Sequence, residues 1–508
     1  FTPWAYKNQS AFEFYVSIPC LKALININSL SVQYAAFWIY TYNRCEIIMD
    51  DTLSCFKAYD VRGELGVNFD GDICYRIGRA FAQSLQAKRV VVGRDARKSS
   101  PELAQRLAQG LMDQGVEVLD VGLCGTEEMY WATTEFDACG GIEVTASHNP
   151  INYNGLKMVK SQSRPLDPAT ELLDIKALAE KNVFEISAQL GHLTDMQAVA
   201  KRAYVTKVLS FVDLDALRPM SIVVNSGNGA AGPSFDEIER YLSAQTSAVK
   251  FHRMFHEPDS SFPNGIPNPL LKKNHAPTRD MVLSVGADFG VAFDGDFDRC
   301  FFFDEIGQFV PGEYIVGLLA SVFLNKEAGA TIVHDPRVTW NTQDIIAVKG
   351  GVAVQAKTGH AFIKQVMRAH DAVYGGEMSA HHYFRDFAFC DSGMVPWLLV
   401  VELMSHTGTS LSELVRARKA AFPSSGEVNF TLAEPKAAMA RVVAHYRPLA
   451  LSVDEADGIS LSFGDWRFNL RSSNTEPVVR LNVESRGDPA LVARKLAEIV
   501  SIWSDDLS

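Results

Sequence analysis

Two short stretches carry side chains suited to phosphate chemistry. Asp294-Gly295-Asp296-Phe297-Asp298-Arg299 places carboxylates at alternate positions, directly after the apolar run Phe289-Gly290-Val291-Ala292-Phe293. Thr145-Ala146-Ser147-His148-Asn149-Pro150 places a hydroxyl after a similar run, Gly141-Ile142-Glu143-Val144. Both read as loops that begin where a buried strand ends. Alternate carboxylates in a bent loop converge on one hard divalent cation. A serine carrying phosphate beside such an ion is a phosphoryl donor.

Rival readings of these stretches stay open at this point. Asp294, Asp296, Asp298 and Glu305 match part of a calcium-binding EF-hand loop, but Arg299 stands where the sharp turn needs glycine. A phosphatase with an aspartate nucleophile and a solvated acidic turn are further alternatives. Ser147 next to His148 does not make an acyl-transfer triad, because base and nucleophile must meet across space, and no G-x-S-x-G elbow is present here. Asn149 and Pro150 predict a turn that exposes the hydroxyl. Lys157 follows Asn154-Gly155 and offers an ammonium that could neutralise phosphate or move a proton.

Other loops add weaker signals. Arg471-Ser472-Ser473-Asn474-Thr475 combines a guanidinium fork with hydroxyls and backbone N–H groups, a set that holds a dianionic phosphate. Glu377-Met378-Ser379-Ala380-His381-His382 mixes acceptors, donors and imidazoles as sugar hydroxyls require. Its paired histidines lack the third ligand spacing of a zinc site. Lys357-Thr358-Gly359-His360 and Asp335-Pro336-Arg337 supply further polar loop tips.

The elements that must position these loops repeat one theme, a β-rich run, a polar loop and a helical pattern. Val90–Arg94 leads to Ser100-Pro101, read as an N-cap and first helical residue, with Leu103, Leu107 and Leu111 on one helix face. Ile222–Asn225 leads to the turn 226–229 and a helix near 235–240. Thr331–His334 and Ala372–Tyr374 begin further units. The pattern predicts an α/β protein with three similar domains built on mixed, mostly parallel sheets. Their loops should share a central cleft at the carboxyl ends of the strands. The tail, with strands near 427–430, 459–463, 467–470 and 478–482 and helices near 437–446 and 490–502, predicts a separate α+β domain.

Size and charge agree. The chain has 508 residues, more than one core accommodates. Its net charge of -12 and lack of a basic run argue against a nucleic-acid partner. No apolar stretch is long enough for a membrane span and no secretory signal is evident. Cys20, Cys45, Cys55, Cys74, Cys124, Cys139, Cys300 and Cys390 form no C-x-x-C pair, which fits a reduced, cytoplasmic protein. Residues 1–48 lack Met, have only five charged side chains and show no clean period. They read as a non-native extension ahead of a working chain that starts near Met49.

Taken together, T-A-S-H-N-P, D-G-D-x-D-R, G-E-M-S-x-H and R-x-S-N-T-x-P resemble the α-D-phosphohexomutase superfamily, and within it the bacterial phosphomannomutases. The likeness runs from Phe56-Lys57-Ala58-Tyr59-Asp60-Val61-Arg62-Gly63 to near Glu484. It implies interconversion of mannose 6-phosphate and mannose 1-phosphate, supplying GDP-mannose, with phosphoglucomutase or dual specificity as the alternative. A silent sugar-phosphate binder is a further one. The resemblance implies that Ser147 carries the phosphate and, with Asp294, Asp296 and Asp298, holds magnesium. Lys157 and His381 would be acid/base groups, with Arg62 and His148 supporting charge at the reacting centre. Arg299 would lie near sugar or phosphoserine, and Glu377 and Ser379 would bind sugar hydroxyls. Arg471, Ser473, Asn474 and Thr475 would grip the distal phosphate, while Tyr59, Arg337, Gly359 and His360 complete the cleft. A hexose 1,6-bisphosphate would be intermediate and activator. The implied division is residues 1–48 as extension, 49–202 with the phosphoserine, 203–304 with the metal, 305–425 for the sugar and 426–508 as a phosphate-binding lid. Phe297 departs from the glycine common in relatives and is expected to reshape the loop beside the substrate.

Overall fold

The computed structural model describes residues 52–185, 187–472 and 478–503. Three mixed sheets follow one another and an antiparallel sheet closes the chain. In the first, Gly140–Val144, Arg89–Arg94, Glu117–Leu123 and Leu193–Asp195 run parallel, while Tyr153–Lys160 and Val61–Glu64 add an antiparallel edge. In the second, Phe289–Phe293, Met220–Asn225 and Val249–Met254 are parallel and Cys300–Asp304 returns antiparallel. In the third, Thr331–His334 lies between Val352–Gln355 and Tyr374–Gly376, all parallel, and His382–Phe384 returns antiparallel.

The strands Gly140–Val144, Phe289–Phe293 and Cys300–Asp304 are buried at every residue, which explains their unbroken runs rather than an alternating pattern. In each of these sheets the last parallel strand pairs with an antiparallel neighbour. Val144 pairs with Leu156, Phe293 with Cys300 and Gly376 with His382. The serine loop, the aspartate loop and the Glu377–His381 segment are therefore hairpin connections between a central parallel strand and its antiparallel neighbour. A helix, Trp340–Val348, follows the Asp335-Pro336-Arg337 loop, whereas an antiparallel strand follows each of these three.

The terminal sheet orders Ser424–Thr431, Val478–Ser485, Trp466–Ser472, Ile459–Ser462 and Ser452–Asp454, backed by helices Pro435–Tyr446 and Pro489–Ile502. The strand Ser452–Asp454 escaped the sequence reading because three residues are too short a run to establish a period. This sheet meets the third domain through Glu484, which is fully buried. Its carboxylate accepts from Thr339 N at 2.8 Å and Trp340 N at 3.1 Å, at the start of helix Trp340–Val348. Arg467 pairs with Glu484 and also donates to Pro336 O at 2.9 Å. A carboxylate at a helix N-terminus is favoured by the unpaired N–H groups there.

Removing one partner of a buried pair leaves the other charge uncompensated. Glu484→Ala is expected to lower unfolding free energy by about 3–5 kcal/mol, read as an earlier denaturant midpoint.

Candidate active site

Ser147 sits in the left-handed region at φ 48° and is only 5% exposed. That corrects the expectation of an exposed hydroxyl: the turn points it into the protein. Its N–H donates to Thr145 Oγ1 at 2.8 Å. The loop's carbonyls converge on Arg97, whose guanidinium donates to Ser147 O at 2.9 Å, Asn149 O at 2.6 Å, Pro150 O at 2.8 Å and Tyr153 O at 3.1 Å. Asp95 fixes Arg97 from behind by an ion pair at 3.4 Å and takes the Ser100 hydroxyl at 2.5 Å. Ser100 therefore serves Asp95, and the helix N-cap is Ser99 instead. Arg62 hydrogen-bonds Thr145 O and pairs with Asp60 at 3.3 Å.

Ser147 Oγ donates to Asp294 Oδ2 at 2.7 Å and lies 3.0 Å from His148 Nδ1. The serine and aspartate loops meet so closely that a Cβ on Gly295 would lie 2.4 Å from Ser147 O. All three aspartates are buried and divide their oxygens in the same way. Asp294 Oδ2 takes Ser147 and also Arg299 Nε at 3.0 Å. Asp296 Oδ2 takes Thr126 Oγ1 and Lys157 Nζ, each at 2.7 Å. Asp298 Oδ2 takes Lys157 Nζ. The three Oδ1 atoms are buried without a hydrogen-bond partner, and one carboxylate oxygen from each residue lies within 4.8 Å of the others.

Charge counting supports a divalent ion here. Three carboxylates face two cations, Lys157 and Arg299. Burial, then Arg299, holds the His148 imidazole down at about 4, so it adds no charge at neutral pH. Burial pushes Asp298 up to about 6, with Asp296 and Asp294 opposing the pull of Lys157. For Lys157, burial disfavours the ammonium but Asp296 and Asp298 outweigh it and raise its pKa. Three close-set buried carboxylates, each with one oxygen free of hydrogen bonds, are the kind of donor set a hard cation takes, so these residues fit magnesium.

The remaining loops face the same region. Arg337 is locked to Asp335 at 2.9 Å, donates to Ser379 Oγ at 3.0 Å and lies 3.7 Å from Glu377. Glu377 accepts from Gly359 N at 2.8 Å and Tyr383 OH at 2.6 Å. Gly359 needs its glycine, since φ is 120°. His360 and Tyr59 meet edge to face at 5.5 Å, joining the first and third domains. His381 Nδ1 is 2.9 Å from Asp391 Oδ2 and 4.0 Å from Asp298 Oδ1. Burial pulls its pKa down, but Asp298 and Asp391 win and raise it. Arg471 pairs with Glu427 at 2.8 Å and Asp457 at 3.1 Å. Ser473, Asn474 and Thr475 lie outside the described residues.

Four models of one family match in succession. Their descriptions are phosphoglucomutase/phosphomannomutase α/β/α domain I over residues 54–185, domain II over 202–307, domain III over 311–422 and the C-terminal domain over 427–502. The chain belongs to the phosphoglucomutase/phosphomannomutase family. A phosphomannomutase of Salmonella montevideo is 56% identical over 89% of this chain and 99% of its own length. One from Escherichia coli K12 is 54% identical with the same coverage. A solved phosphoglucomutase/phosphomannomutase family protein from Burkholderia thailandensis superposes with a TM-score of 0.79 at 29% identity, covering 90% of this chain and 99% of that one.

Phe297 stands where the resemblance implied a glycine. Its φ is 42°, the backbone that favours glycine. Its ring is fully buried and lies against Gly125, where any Cβ would come within 2.3 Å. The side chain thus packs beneath the loop, in the core. Arg97, Asp95, Thr126, Asp391 and Glu427 were missed from sequence. The signal for Asp95 and Arg97 was their place just after strand Arg89–Arg94, and Asp391 likewise ends strand Cys390–Asp391. Thr126 and Glu427 gave no local signal.

An ion entering this site must displace the proton that Asp298 holds below about pH 6. Magnesium affinity by titration calorimetry is expected to fall about tenfold per pH unit below that value and to level off above it. A flat profile from acid to neutral pH would count against this carboxylate set.

Proposed function

We propose that this chain interconverts mannose 6-phosphate and mannose 1-phosphate through a phosphorylated Ser147. The observation that carries the reading is the bond from Ser147 Oγ to Asp294 Oδ2, which joins the serine loop to three buried aspartates across two domains. The family match and the names of the relatives supply the substrate class. In this reading the four matched segments act as phosphoserine, metal, sugar and lid domains.

Phosphoserine gives its phosphoryl group to the free hydroxyl of a bound hexose monophosphate. As the sugar O–P bond forms and the Ser147 Oγ–P bond breaks, His381 takes the hydroxyl proton and Lys157 protonates the departing serine oxygen. The hexose 1,6-bisphosphate reorients within the cleft. Ser147 then attacks the other phosphate, Lys157 recovers its proton and His381 returns its own to the sugar oxygen. Over one cycle, protons and phosphoryl groups balance. Asp294, Asp296 and Asp298, with the serine phosphate, would hold magnesium, which when bound offsets charge on the transferring phosphoryl group.

Arg299 and His148 line the serine side, and Arg62 steadies the loop through Thr145 O. Arg337, Glu377, Ser379, Gly359, His360 and Tyr59 orient the sugar. Arg471 grips the distal phosphate, trading its carboxylate partners Glu427 and Asp457 for the dianion. The cleft must exclude water to protect phosphoserine from hydrolysis, and the C-terminal domain is the closing lid. The free state of Cys55, Cys74, Cys124, Cys139, Cys300 and Cys390 supports a cytoplasmic location. No described helix is long and apolar enough to cross a membrane.

Ser147→Ala is expected to reduce mutase turnover by at least about 10⁴-fold, and normal turnover in that variant would overturn the mechanism. Arg471→Ala is expected to raise KM about 10- to 100-fold with a smaller change in kcat. Coupled assays of the two sugar 1-phosphates should favour mannose. Comparable rates on both would assign dual specificity, and a glucose preference would make the chain a phosphoglucomutase.

A further inference from the structure

Behind His381 lies a charge pair closed off from solvent. Asp391 is 1% exposed, and its Oδ2 sits 2.9 Å from His381 Nδ1. Its Oδ1 lies 2.8 Å from Lys364 Nζ, an ion pair rather than an aligned hydrogen bond. Lys364 comes from helix His360–Ala369 and is fully buried, its ammonium 3.7 Å from the centre of the Tyr130 ring. A buried pair of this kind contributes little net stability, since apolar side chains of similar volume serve as well. Its arrangement around an imidazole is therefore the feature to explain.

Asp298, His381 and Asp391 could be taken for a second metal site, as their ligand atoms lie within 4.8 Å of one another. The Lys364 ammonium already occupies the carboxylate side of that group. Asp391 is acceptor-only when ionised, so its contact with Nδ1 requires Nδ1 to carry the proton. That selects the tautomer in which Nε2 holds the lone pair.

We propose that Asp391, held in place by Lys364, positions His381 with Nδ1–H occupied, so that Nε2 is the atom that takes and returns the sugar hydroxyl proton. The inference rests on the acid/base reading of His381 given above. The attacking sugar oxygen loses its proton to Nε2 as it bonds to phosphorus, and Asp391 stabilises the imidazolium without itself accepting the proton. The same logic orients the histidine of a Ser-His-Asp triad. Asp391 and Lys364 are positioning residues, acting on the reaction only through the ring.

The test compares kcat and KM for wild type, His381→Gln, Asp391→Asn, Lys364→Met/Asp391→Leu, and each Asp391 variant combined with His381→Gln. The apolar double variant removes both charges and guards against misfolding from an uncompensated lysine, with thermal unfolding as the check. His381→Gln is expected to lower kcat about 10²- to 10⁴-fold. Asp391→Asn and the apolar pair should each lower kcat at least about tenfold with KM little changed. Neither should lower kcat further once His381 is Gln. Losses that multiply with His381→Gln, or wild-type kcat in a folded apolar pair, would overturn the positioning role. Full activity of His381→Gln would instead sink the acid/base reading beneath it.

Discussion

The structure depends on three carboxylates buried within a few ångströms of one another. Two like charges 4 Å apart at a protein-like dielectric repel by about 4 kcal/mol, so the arrangement exists only where cations answer it. Lys157 and Arg299 each reach in, one from the first domain and one from the loop itself. The carboxylates spend one oxygen apiece on hydrogen bonds to these partners and keep the other buried without one. This partition ties the first two domains together, and it sets Ser147 where phosphate chemistry can occur.

Around that centre the backbone uses one device three times. A parallel strand ends, the chain turns, and an antiparallel strand returns beside it. Short connections of this kind leave no slack, so loop tips are held by strands on both sides. The serine loop adds a second restraint, because Arg97 gathers four of its carbonyls and holds Ser147 in a backbone state that costs energy outside such a frame. The loops of the third domain are instead tied by side chains: Asp335 to Arg337, Glu377 to Tyr383 and to the Gly359 N–H.

Much of this was legible in the chain. Apolar runs such as Phe289–Phe293 are buried central strands, and the polar residues that follow them line the cleft, because strand ends are where open α/β sheets leave backbone and side chains accessible. What was not legible were partners brought together by folding alone. Thr126 reaches Asp296 across 170 residues, and Glu427 reaches Arg337 at 3.6 Å from another domain. Neither lies in a run whose composition predicts such a role. The direction of the Phe297 side chain is likewise set by the space left at Gly125, which is not a neighbour in sequence. The Ser147 hydroxyl was expected outside because turns usually lie on surfaces, whereas this turn is capped by a second domain.

The Glu484–Arg467 junction carries a mechanical consequence. Both side chains are shielded from solvent, and the carboxylate is bonded to the first two amides of a helix in the neighbouring domain. A rotation of the terminal sheet about that point would leave the junction intact while swinging Arg471, at the far end of the strand from Arg467, through an arc. Ionic strength would then have little purchase on the fulcrum, while the exposed rim that travels with it would still feel added salt.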